Sequence, residues 1–268
     1  MAKYFRISFV LVMAILWLAP IYLLIVNAFV PVKEYTGSPT WIPRGFGFFD
    51  NLALAWNSSG LGEGVLNSLM YATVSAGIAV LAAALAGFAV IVMPTKHPTL
   101  WFWLIYLGTL LPLQIFLVPL FKAYVNVGIY DAQIGLVLIY SAICVPFAFF
   151  IVRNYLTTIP KEMTEAAQLD GASWIRIFFR IHLPLMKSSL FAAFIFQFTW
   201  VWNDLLFGIT LSSSSNIRPV MAALAEINGG YSSLGPPVVL AAAIAVSLPT
   251  VILFLASQRF FVSSLKPV

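Results

Sequence analysis

The chain has 268 residues, of which 62% are hydrophobic and 9% charged, against about 25% charged in an ordinary soluble domain. That balance excludes a soluble enzyme or binding module and reads as an integral membrane protein. The net charge of +5 does not describe a nucleic-acid-binding face, because the Lys and Arg residues are spread between apolar runs; the expected surroundings are membrane lipid, with no nucleic acid.

Between Arg6 and Lys33 there are 26 residues without a charge, and about 20 suffice to cross the hydrocarbon core as a helix. The first span is expected at about 7–30. Lys3 and Arg6 could open a signal peptide, but the apolar run is longer than a signal's usual stretch of about 7 to 15 residues and has no clear small-x-small cleavage site. The segment 33–63 carries Pro39, Pro43 and several glycines, too interrupted for a long helix, and is read as an outer loop. A second uncharged run of 32 residues, Gly64 to Thr95, gives a span at 64–93. Its Ser75, Ala79, Ala83 and Gly87 form a stripe of small residues, suited either to packing within the subunit or to packing against a partner subunit. His97, in the polar turn Met93 to Pro98, reads as a solvated loop residue. Spans three and four are expected at 99–121 and 132–152. Their Pro112, Pro119 and Pro146 either bend the helices or mark kinks around a pathway.

The most polar long segment follows, at about 158–184. Pro160 suits the first turn of a helix, and Glu162 and Glu165 place carboxylates near its positive end. Asp170-Gly171 supplies a stop, and Ser173 can cap a second helical piece from Trp174. Trp174, Phe178 and Ile181 then share one face and Arg176 and Arg180 another, which predicts a helix lying at the bilayer surface. Leu183-Pro184 bends it into span five, 185–211, the most polar span, with Gln197, Trp200, Trp202, Asn203 and Asp204. Gln197 and Asn203 are expected to face a partner, because amides exposed to hydrocarbon are costly. Counted from Lys187 along one continuous helix, at about 1.5 Å per residue, Asp204 falls about 26 Å across a core about 30 Å thick, so it reads as an interfacial or vestibule residue. Span six is expected at 237–257. Cys144 is the single cysteine, so no intrachain disulfide can form.

With the N-terminus inside, the inner segments hold ten Lys and Arg residues and the outer loops four, satisfying the positive-inside rule and placing both termini and the polar segment in the cytoplasm. The sequence has no G-x-x-x-x-G-K-S/T loop and no HExxH, so neither ATP hydrolysis of the Walker type nor zinc hydrolysis is expected of this chain. An ion-coupled secondary transporter, the other class of reading, would need carboxylates near the midplane, and Asp204 is the one such group on offer.

Glu165-Ala166-Ala167, three residues, Gly171, nine residues, Ile181, one residue and Leu183-Pro184 together reproduce the EAA signature. On this signature the chain resembles the MalG-type permease subunits of carbohydrate-importing, binding-protein-dependent ABC transporters. Asn67-Ser68-Leu69, Pro119-Leu120-Phe121 with Gly128, Pro146-Phe147, Ile159-Pro160-Lys161-Glu162 and Trp202-Asn203-Asp204 extend the resemblance over nearly the whole chain. The resemblance implies an all-α integral membrane protein with six transmembrane helices and the type I ABC importer permease fold, in the cytoplasmic membrane of a prokaryote. It implies a second, nonidentical permease, two ABC ATPase subunits that hold ATP and magnesium, no cofactor in this chain, and an extracytoplasmic solute-binding protein. The solute would be a di- or oligosaccharide or, alternatively, glycerol-3-phosphate or a related polyol. A coupling segment of Glu162, Glu165, Ala166, Ala167, Asp170, Gly171, Ala172, Leu183 and Pro184 would dock on an ATPase. Gln197, Trp200, Asn203 and Asp204 would line the pathway, and the loop Asn228, Gly229, Gly230 and Tyr231 would meet the binding protein.

Overall fold

The computed structural model describes residues 2–58, 60–228 and 234–264, with the backbone alone for residues 2 and 259–264. Among the described residues the regular structure is helical: α1 (Ala2–Ala28), α2 (Phe48–Ser58), α3 (Leu61–Ile91), α4 (Pro98–Tyr106), α5 (Leu117–Asn126), α6 (Gln133–Leu156), α7 (Lys161–Leu169), α8 (Trp174–Ile177), α9 (Leu183–Leu185), α10 (Lys187–Trp202), α11 (Leu206–Leu211), α12 (Val220–Ile227) and α13 (Pro236–Ser264). Four of these are long and apolar enough to cross a bilayer, and two bent helix pairs bring the number to six if each pair is one span.

The architecture is built on α3, which packs most extensively against α6 and then against α10. The small-residue stripe makes this possible. Ser75, Ala79, Ala83 and Gly87 are all buried, and a Cβ on Gly87 would come within 3.2 Å of Val152 and Leu156 on α6. Of the two uses open to the stripe, packing inside the subunit is the one observed. The buried side chains form two clusters, one toward each end of α3. The first gathers Tyr71, Tyr140, Phe198, Trp202 and Phe207; the second gathers Phe88, Phe149, Val152, Ile177 and Phe178. α1 and α2 lean on α13 at the side, and α1 keeps its large apolar side chains exposed, as a lipid-facing helix does.

Two expected spans are not single helices. The stretch 99–121 breaks beside Pro112, and the halves Pro98–Thr109 and Leu113–Asn126 meet at 82°. Proline lacks the N–H needed to continue the ladder and restrains the residue before it. Span five also breaks, between Trp202 and Leu206, and Trp174–Leu185 enters it at a 73° bend. The loop 33–63, read as too interrupted for a long helix, holds the 11-residue α2.

Candidate coupling and pathway sites

The polar segment folds from local signals. Pro160 stands at the N-cap rather than within the first turn, with α7 beginning at Lys161. The helix ends in a Schellman turn: the N–H of Gly171 donates to the Gln168 carbonyl (2.9 Å) and that of Ala172 to the Ala167 carbonyl (3.0 Å). This closure requires a left-handed residue, and Gly171 has φ +75°. Ser173 then caps α8, its Oγ accepting from the Arg176 N–H at 3.4 Å.

The packing of these pieces differs from a helix lying on the bilayer. Trp174, Ile177, Phe178 and Ile181 turn inward against the protein's own helices, while Arg176 and Arg180 remain exposed. Phe88, near the end of α3, is the centre of this contact: its ring meets Trp174 at 6.3 Å, Phe178 at 5.2 Å and His182 at 5.1 Å. A π turn over Phe178–His182 holds one more residue than an α turn and so places both Phe178 and His182 against Phe88. Pro184, which cannot extend an α ladder, follows directly.

α7 is fastened to this body by a buried side-chain hydrogen bond, Thr164 Oγ1 to His182 Nε2 at 3.0 Å. Both residues are buried, at 8% and 2% exposure. The outward surface is mixed: Glu162, Glu165, Ala166, Asp170, Gly171 and Pro184 are exposed, whereas Ala167, Ala172 and Leu183 are half-buried and pack on the core. Leu169, 90% exposed, and Ile175, 73% exposed, stand on either side of the Gly171 elbow. Sequence reasoning missed Thr164, His182, Leu169 and Ile175. Leu169 carried a signal, since it follows the polar run through Gln168 and precedes Asp170.

At the break in span five the structure corrects one expectation, that for Gln197, and sharpens another. Asp204 borders the open cavity there but is itself buried, at 8% exposure. One carboxylate oxygen accepts from Tyr140 Oη (2.9 Å), the Phe207 N–H (3.0 Å) and the Gly208 N–H (3.2 Å). It closes the first turn of α11 after the chain has left α10, two residues past the end of an unbroken Lys187–Trp202 helix. Gln197 does not face a partner; it is buried within the subunit. Asn203 and Trp200 are exposed and line an open cavity of about 640 Å³ with Phe196, Thr199, Asp204, Leu205 and Phe254. Trp202 points the other way, stacking on Phe198 at 5.9 Å and donating to the Val246 carbonyl of α13 at 3.1 Å.

The opposite end of α3 from Phe88 holds the strap between α11 and α12. Asn67 Nδ2 donates to the Asn216 and Arg218 carbonyls (3.0 and 3.2 Å), Ser68 Oγ accepts from the Val220 N–H (2.8 Å), and Tyr71 Oη donates to the Ile217 carbonyl (2.7 Å). Asp131, with φ +53°, accepts from the N–H groups of Ser213 (2.7 Å) and Ser214 (3.0 Å) and from the Ser214 hydroxyl (2.5 Å). Arg218 pairs with Glu226 and donates to the Ser213 carbonyl at 2.6 Å. Partial burial works to raise the Asp131 carboxyl, but the hydrogen bonds from Ser213 and Ser214 and the nearby Arg218 charge together hold it below the usual carboxylate range. Of the outer-loop residues, Asn228 is exposed at the end of α12; Gly229, Gly230 and Tyr231 lie outside the described residues.

Comparison with known proteins agrees with this arrangement. Residues 79–266 match the family described as the binding-protein-dependent transport system inner membrane component. The sn-glycerol-3-phosphate transport system permease protein UgpE of Yersinia pestis is 31% identical over 261 residues, 94% of this chain and 91% of its own length. The melibiose/raffinose/stachyose import permease protein MelC of Bacillus subtilis is 29% identical over 92% of this chain and 89% of its own. Among solved structures, a chain of a bacterial ABC transporter involved in import of the acidic polysaccharide alginate superposes with a TM-score of 0.81, at 17% identity, over 97% of this chain and 96% of that one. The fold is therefore the all-α type I importer permease fold, and the chain belongs to the inner-membrane components of binding-protein-dependent ABC transport systems.

Proposed function

We propose that this permease carries a sugar, of the di- or oligosaccharide class, inward across the cytoplasmic membrane, driven by ATP hydrolysed on two separate ATPase subunits. The observation that carries the reading is the elbow at Gly171: a rigid Schellman turn exposed between two apolar side chains, Leu169 and Ile175, on a segment fastened to α3. Exposed apolar side chains on an otherwise polar protrusion suit a docking contact. Glu162, Glu165, Ala166, Asp170, Gly171 and Pro184 make the exposed part of that contact, while Ala167, Ala172 and Leu183 hold its shape from behind. ATP and magnesium belong to the ATPases, with this chain supplying neither ligands nor a phosphate cradle.

A second, nonidentical permease is assigned to the face that carries the open cavity beside Trp200 and Asn203. An aromatic face beside amide and hydroxyl groups suits the CH faces and hydroxyls of a sugar. Asp204 borders the same cavity, and Gln197 acts indirectly, by shaping the helix that presents it. The extracytoplasmic solute-binding protein is assigned to the loop from Asn228 through Gly229, Gly230 and Tyr231. The relationship to UgpE supports a second reading of the solute, glycerol-3-phosphate or a related polyol. Purification of the tagged permease from its native membrane, followed by uptake assays in proteoliposomes with labelled disaccharide and labelled glycerol-3-phosphate, separates the readings. Copurification of an ATPase and saturable disaccharide uptake are expected; uptake of the phosphate ester alone would replace the sugar, and a preparation with no ATPase would sink the importer reading.

A further inference from the structure

We infer that His182 is a positioning residue for energy coupling: through Thr164 it locks α7 to the end of α3, so that movement of the docking segment is delivered to the transmembrane core. The inference rests on the proposed docking role of the α7 elbow and extends it inward.

α7 touches the body over a limited area. Behind it lies a cavity of about 580 Å³, bordered by α7 itself, the end of α3, the Met93–Pro94–Thr95 turn and the residues after α6. Pro160 precedes α7, and Gly171, in the left-handed conformation, follows it. A short helix with a cavity behind it and a turn at each end is free to tilt unless something inside pins it. The buried bond from Thr164 Oγ1 to His182 Nε2 is placed to do so, since Thr164 is the buried residue of α7 and His182 sits in the π turn with its ring on Phe88 of α3. The chain thus runs from α7 through Thr164 and His182 to Phe88, in continuous contact.

The geometry also separates this bond from ordinary packing. His182 Nδ1 has no hydrogen-bond partner although it is buried, so the imidazole is held on its polar side by Thr164 alone among the described residues. Removing the hydroxyl leaves a second buried ring nitrogen without a partner, which costs more than losing one surface contact. The ring's apolar contact with Phe88 is left in place, so the loss falls on position rather than on burial.

The test uses the assembled complex in proteoliposomes and reads solute moved per ATP hydrolysed. Thr164→Val, which keeps the shape and removes the hydroxyl function, and His182→Phe, which keeps an aromatic ring against Phe88, are each expected to lower that ratio by about fivefold, the factor of one net hydrogen bond. Both should leave ATPase copurification at the wild-type level. Thr164→Ser should retain the ratio, and Thr164→Val combined with His182→Phe should be no worse than either alone. Losses that multiply in the double variant, or a wild-type ratio in Thr164→Val, overturn the inference. Leu169→Glu provides the separate check on the docking reading: if it leaves the ATPase fully bound, the docking role fails, whereas loss of binding there beside a neutral Thr164→Val removes the lock alone.

Discussion

The two ends of α3 use polar residues in opposite ways. At the Asn67 end, Asn67, Ser68, Tyr71, Asp131 and Asp204 turn their polar atoms inward and spend them on backbone groups of the strap and of α11. At the Phe88 end, the carboxylates of α7 are exposed and two large apolar residues stand beside them, while Thr164 and His182 form a buried polar pair. Polarity alone therefore does not mark a functional surface in this protein. A carboxylate on a membrane helix can be a helix cap, and the proposed docking surface is better marked by apolar residues that the fold leaves uncovered.

The strongest way to break this contrast is Asp204→Ala. The substitution removes the acceptor for two N–H groups and leaves the Tyr140 hydroxyl buried without its partner. A stability loss of about 3 kcal/mol is expected, in line with buried hydrogen bonds to a charged acceptor. Thermal unfolding in detergent measures it, and uptake per assembled complex should change little. A variant as stable as the wild type but inactive in transport would mean that Asp204, at the edge of the cavity, serves the pathway rather than the fold.

Gly171→Trp comes next. A Cβ on Gly171 meets nothing within 4 Å, so the free subunit pays the backbone strain of φ +75°, about 1–2 kcal/mol, and the bulk is felt by the docked partner. Inserted and paired permease is expected, with uptake lowered about tenfold by strain and bulk together. Gly171→Asn separates the two causes, since Asn tolerates the left-handed region with a small side chain. Uptake and ATP hydrolysis both at wild-type rates in the Trp variant would reduce the elbow to an ordinary loop.

A smaller effect is expected at the span-five cavity. Cysteine at Asn203 should react with a water-soluble thiol reagent several-fold faster than cysteine at buried Gln197, because one side chain is exposed beside the cavity and the other is enclosed. Equal labelling would mean that α10 is rotated from the orientation described.

How much of this was legible depended on the range of the signal. The helix, break and helix of the polar segment could be read because Pro160, Asp170-Gly171 and Ser173 act on their own neighbours. The facing of Trp174 and Phe178 could not, since amphipathic spacing gives the same pattern whether the apolar side meets lipid or α3. Thr164 and His182 are 18 residues apart and meet only through the Gly171 turn and the π turn, neither of which has a spacing rule for such a pair. The burial of Asp204 was hidden for a related reason: its local bonds to the Phe207 and Gly208 N–H groups are those of an ordinary helix start, but its third partner, Tyr140, lies on another span.

The smallest effect sharpens the contrast at the Asn67 end through pH. The folded-state value of Asp131 lies below its ordinary value of 3.8, so the folded state binds that proton less readily than the unfolded chain. Its contribution to stability is then fully present above the unfolded value and is lost as pH falls through the lower folded value. Arg218 also pairs with Glu226, so a control that changes Asp131 alone is needed. Asp131→Asn supplies one: it keeps a residue that tolerates positive φ and a carbonyl that can accept from Ser213 and Ser214, but it carries no charge. Melting curves in detergent should show the wild type losing more stability than Asp131→Asn as pH is lowered below about 4, with little difference in slope between the two above that range. Parallel curves across the acid range would mean that the strap is held by hydrogen-bond geometry and not by the Asp131 charge. The contrast between the two ends of α3 would then rest on shape alone.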